Sequence, residues 1–67
     1  MNSLYPNLVS RMRERNVSDE DIAALLGERA ETVNLKFRGL IDWTLREAII
    51  IGQFLNDTDL LRLFLSS

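Results

Sequence analysis

Apolar side chains recur at helical spacing along the whole chain, and short polar or glycine breaks divide them into five groups. The first group predicts a helix from Pro6 to about Arg15, with Leu8 or Val9 and Met12 facing inward. Proline suits its first position, where a backbone N–H would have no helical partner anyway. Asn16 ends it. Ser18 then caps a second helix, and Asp21 three residues on gives the spacing of a capping box. Val17 and Ile22 stand where a hydrophobic staple forms, and Ile22, Leu25 and Leu26 make one face. Gly27 stops that helix by taking the left-handed conformation cheaply. A third helix runs from Ala30 to Arg38 with Val33 and Phe37 inward, and Gly39 closes it.

After the connector Leu40-Ile41-Asp42, Thr44 and Glu47 form a second capping box. A fourth helix follows from Leu45 to about Leu55, with Leu45, Ala48, Ile49, Ile51, Phe54 and Leu55 expected on the core side. Trp43, just before the cap and opposite Ala48, is expected to pack rather than to stack on a ligand. Asn56-Asp57 is a turn. Thr58 is expected to cap a last helix over Asp59 to Leu65, with Leu60, Leu63 and Phe64 inward, and Ser66 and Ser67 form a frayed end. Nothing alternates with period two long enough to suggest a strand. The expected class is all-α: five helices in one domain spanning residues 1–67.

The fourth and fifth helices carry more apolar residues than one face can bury. Ile49, Ile50 and Ile51 cannot all face one core. Ile50 is the expected outsider, and Leu61 and Leu65 fall on the far side of the last helix. An exposed patch of this kind marks an interface, here a homodimer of Ile50, Leu61 and Leu65.

Composition narrows the chemistry. A chain of 67 residues buries only about 60% of its unfolded surface, so a second copy would help it. There is no cysteine and no histidine, which removes disulfides, thiolate metal sites and the commonest general base. Gly27 to Asn34 lacks the second glycine and the lysine of a phosphate-binding loop. The expectation is therefore no enzyme, no cofactor and no metal. The apolar run from Ala48 to Ile51 is too short to span a bilayer, and Met1 to Asn7 has neither the basic start nor the apolar run of a leader. A reducing cytoplasm fits a chain without cysteine.

Two short helices around a glycine turn, Ser18 to Gly39, are the pattern of a helix-turn-helix. Around it stand Tyr5-Pro6-Asn7-Leu8, Asp21-Ile22-Ala23-Ala24-Leu25-Leu26-Gly27, Thr32-Val33 through Phe37-Arg38-Gly39, and Trp43-Thr44-Leu45-Arg46-Glu47-Ala48 into Phe54-Leu55. In this order the chain resembles the Cro and lambda-type repressor family of five-helix DNA-binding domains, above all its small phage-encoded members. The resemblance spans nearly the whole sequence. It implies a lambda-repressor-like fold, a transcriptional regulator, double-stranded operator DNA as partner, and a dimer reading two half-sites. It makes Ala30 to Arg38 the recognition helix, lying in the major groove with its N-terminal residues at base edges.

The residue chemistry of that helix is mixed. Arg29 can reach guanine or a phosphate, Thr32 can donate to a phosphate, and Asn34 can pair with adenine. Lys36 and Arg38 suit phosphates. Ala30 and Leu35 can touch only thymine methyls, and Glu31 can accept only from cytosine. Arg11, Arg13 and Arg15 read either as cations placed on a helix C-terminus or as phosphate contacts. Against DNA stands the net charge of −2. Between Ser18 and Gly39, five acids at 19, 20, 21, 28 and 31 outnumber three bases at 29, 36 and 38. Asp19-Glu20-Asp21 stabilise their helix N-terminus but oppose a nearby phosphate. A second expectation therefore stands beside the first: an antirepressor-like module on the same scaffold, docking on a basic repressor protein instead of DNA.

Overall fold

A computed structural model describes residues 4–66 of the chain. Five helices follow one another: α1 (Pro6–Glu14), α2 (Asp19–Leu26), α3 (Ala30–Phe37), α4 (Leu45–Phe54) and α5 (Leu60–Leu63). No strand occurs among the described residues. α2 packs on both α3 and α4, and α5 joins α1 to α4.

The local chemistry of the helix ends explains these boundaries. Ser18 Oγ accepts the Asp21 amide at 3.2 Å while the Asp21 carboxylate accepts the Ser18 amide at 2.9 Å. Thr44 and Glu47 repeat that reciprocal pair at 3.1 and 2.9 Å, so each of these two helices starts with its N-cap and third-position amides paired. At the other end, four helices close alike. The amides of Val17, Glu28, Leu40 and Asp57 reach back five residues to the carbonyls of Met12, Ala23, Leu35 and Gly52. Before each stands a residue at positive φ: Asn16, Gly27, Gly39 and Asn56. Such a closure needs the left-handed region, and glycine and asparagine enter it most cheaply.

The core is drawn from every helix: Leu8, Met12, Ile22, Ala23, Val33, Phe37, Ile51, Leu55 and Leu63 are buried together. Burying each large side chain contributes about 1.5–3 kcal/mol. Val17 packs against this core from its staple position. Trp43 is a packing residue, as expected. Its ring lies edge-on to Phe37 at 5.2 Å, to Phe64 at 5.7 Å and to Tyr5 at 6.3 Å.

α4 faces the core differently from the sequence expectation. Glu47, Ala48, Ile51 and Gly52 are the buried residues of the helix, with Leu55 just beyond it. Leu45 is 72% exposed, and Ile49 and Phe54 also reach solvent. The sequence carries two apolar stripes at helical spacing, one through 45 and 49 and one through 48, 51 and 55, and periodicity cannot choose between them. Gly52 can. A Cβ there would stand 2.8 Å from the Asp57 carbonyl and 2.6 Å from Leu60 Cδ2, so only a glycine lets the following loop cross this close. The last helix is also shorter than expected. Asp59, not Thr58, caps it by accepting the Arg62 amide at 3.3 Å, because the Asp57 carboxylate holds the Asp59 amide and fixes the turn one residue later.

Candidate functional site

α2 and α3 meet across the three-residue turn Gly27-Glu28-Arg29. Gly27 takes φ +68° with open space around the missing side chain, so it is backbone conformation and not crowding that favours glycine there. The turn directs one face of α3 into the core through Val33 and Phe37 and leaves another outside. On the outer face Ala30, Glu31, Asn34 and Arg38 are exposed, and Thr32 and Leu35 are half-buried. Arg29 occupies the N-cap and its side chain makes no capping bond, so the first amides of α3 have no side-chain partner.

The outer face of α3 and the start of α2 border one groove of about 460 Å³. Asp19, Glu20, Glu31, Asn34, Leu35 and Arg38 line it with Ala30. Partial burial, and then the charge of Glu20, raises the Asp19 carboxyl above its ordinary range. Of the candidate contacts, Ala30, Glu31, Asn34, Leu35 and Arg38 therefore come together in one groove, and Arg29 stands at the start of their helix.

Lys36 does not join them, and its assignment as a phosphate contact is corrected. It is 4% exposed. Its ammonium bonds both carboxylate oxygens of Glu28 at 3.1 Å and the carboxylate of Glu47, and lies 5.6 Å over the Trp43 ring. Burial would lower the Lys36 pKa, but the bonds to Glu47 and Glu28 outweigh it and raise it. Burial also pushes the Glu47 carboxyl up. Bonds from Glu28, Lys36 and the Thr44 amide prevail and bring it down to about 2. Glu28 moves upward, through its hydrogen bond with Glu47 and then desolvation. This cluster ties the α2–α3 turn, α3 and α4 to one another. One signal for it is present in the sequence: Lys36 sits three residues after Val33 and next to Phe37, on the inward stripe.

The cations of α1 divide. Arg11 is engaged with Glu14 at 2.9 Å, the Asn56 carbonyl at 3.4 Å and Asp57 at 3.8 Å. Arg13 and Arg15 are exposed, and they, with Arg29, Arg38 and Arg46, form no ion pair among the described residues. The expected dimer residues also divide. Leu61 is 89% and Leu65 61% exposed, whereas Ile50 is half-buried, and Ile49 takes its place as the outward isoleucine at 41%. No group of three or more acids that could hold a metal occurs among the described residues, and no helix among them is long and apolar enough to cross a membrane. Comparison with protein families, with curated proteins and with solved structures found no match to this chain.

Proposed function

We propose that the chain is a sequence-specific DNA-binding regulator of the Cro and lambda-repressor type. α2 and α3 form its helix-turn-helix, and α3 enters the major groove. The observation that carries the reading is the outer stripe of α3. Glu31, Asn34 and Arg38 stand free of the core on the second helix of a tightly turned pair. Such a helix places donors and acceptors at base edges. Two copies joined through Leu61, Leu65 and Ile49 would present two such helices to two half-sites.

Salt dependence tests the reading. With Lys36 and Arg11 engaged inside the protein, Arg29 and Arg38 are the cations nearest the reading helix in sequence. Each phosphate neutralised contributes about 0.9 to the log–log slope, so a shallow slope of about 2 per protomer is expected. Absence of duplex binding at low salt overturns the reading.

One observation favours a second reading. Asp19, Glu20 and Glu31 share the groove with a single lining cation, Arg38. A groove of that sign complements a basic protein, which is what an antirepressor-like module docking on a repressor would need. Calorimetric titration with a basic repressor domain, set beside the duplex titration, separates the two.

A further inference from the structure

Resting on the DNA-binding reading, we infer that Glu31 and Asn34 are the base-reading pair of α3, and that they select a duplex with a cytosine and an adenine at adjacent base pairs. Both side chains are exposed in the same groove, and neither forms a side-chain hydrogen bond or ion pair among the described residues. They are three residues apart on one helix, which sets their Cβ atoms about 5–6 Å apart and about 4.5 Å along the axis. Base pairs repeat every ~3.4 Å, so the two side chains address neighbouring pairs.

Their chemistry then names the bases. Asparagine offers one donor and one acceptor, the complement of the adenine N6 and N7 edge. An ionised glutamate only accepts, and of the two amino donors in the major groove cytosine N4 suits it better than adenine N6, which has the N7 acceptor beside it. Against guanine O6 and N7 or thymine O4 the carboxylate would face acceptors and lose its water without a replacement. No cation pairs with Glu31 among the described residues. Lys36, the single lysine of the chain, is buried and committed to Glu28 and Glu47. Arg38 lies seven residues on, about 10 Å along the helix. Asp19 and Glu20 on the same groove repel phosphate, which holds down sequence-independent binding and leaves the bases to decide. The acidity that opposes DNA in general thus becomes a filter for one kind of site.

Selection from a randomised duplex library at about 50 mM salt, followed by sequencing, tests this with the full chain, Glu31→Ala and Asn34→Ala. Thermal melts establish that the variants fold, as exposed positions should allow. The wild type is expected to enrich cytosine beside adenine, with about tenfold or greater discrimination at each position. Glu31→Ala should lose the cytosine preference, keep the adenine preference, and bind random duplex more tightly. Asn34→Ala should lose adenine alone. A wild-type site lacking this pair, or a cytosine preference that survives Glu31→Ala, overturns the inference and leaves DNA binding standing. A wild type that enriches nothing overturns both.

Discussion

Replacing Lys36 by methionine removes the one cation of a cluster that holds the α2–α3 turn, α3 and α4 together. Methionine fills most of the same space, so the change isolates the charge. Glu47 is 7% exposed and its carboxyl stands at about 2 instead of 4.5. At ~1.4 kcal/mol per unit, that displacement is worth about 3 kcal/mol of preference for the charged form. Part of it belongs to Glu28 and the Thr44 amide, which remain. The variant, however, also leaves two carboxylates beside each other in a mostly buried site, and breaking such a pair by removing one partner costs about 3–5 kcal/mol. The expected loss is about 3 kcal/mol at pH 7. A domain of this length has about 3–10 kcal/mol in all, so the variant keeps about 0–7 kcal/mol and the loss is a large share of the total. Urea unfolding followed by circular dichroism reads the difference. Its pH dependence has a fixed sign. The folded pKa of Glu47 lies below its unfolded value, so its contribution is present above about pH 4.5 and is lost as pH falls toward about 2. Lys36 is raised, so it stays charged throughout that window. The gap between wild type and variant should be full at pH 7 and shrink between pH 4.5 and 2. Glu28, raised instead, favours the fold at low pH and weakens it as pH rises past the ordinary carboxylate range. Glu28→Gln should therefore cost less at pH 7 than Lys36→Met. A Lys36→Met loss under about 1 kcal/mol, or a gap equal at pH 7 and pH 2.5, refutes the reasoning.

Other expectations follow from single contacts. Gly27→Ala should cost only the left-handed backbone, about 1–2 kcal/mol, because nothing stands within 4 Å of the new methyl. Gly52→Ala should cost more, since its methyl meets the Asp57 carbonyl at 2.8 Å and a backbone atom cannot swing aside as Leu60 can; urea midpoints of the two variants rank them. Ser18→Ala should lose about 1 kcal/mol by orphaning the Asp21 amide, read in the same assay. Leu61→Lys with Leu65→Lys should convert the proposed dimer to monomer in sedimentation without lowering monomer stability, and an unchanged sedimentation coefficient removes that patch as the interface.

The helices were legible because their ends carry local chemistry. Ser18 with Asp21, Thr44 with Glu47, Gly27 and Gly39 each act within a few residues, and a sequence displays such neighbours directly. What depended on distant partners was not legible. α4 offers two apolar stripes, and the choice rests on how closely the loop at Asp57 crosses Gly52. Thr58 and Asp59 are both competent caps, and the Asp57 carboxylate decides between them. Lysine is ordinarily a surface residue, and Lys36 is buried because Glu28, eight residues back, and Glu47, eleven ahead, converge on it. The same distance effect moved the outward isoleucine from Ile50 to Ile49 and engaged Arg11 with Asp57. Of α3, the outward set Ala30, Glu31, Asn34 and Arg38 was legible, since helical spacing alone opposes it to Val33 and Phe37.

The most direct test maps backbone amide shifts of labelled protein while a duplex carrying cytosine beside adenine is added at low salt. The largest changes are expected from Arg29 to Leu35 and at Arg38, with the Lys36 and Glu47 signals nearly still. Changes centred on α5, or none anywhere up to millimolar duplex, would contradict the claim that α3 is the face this protein offers to DNA.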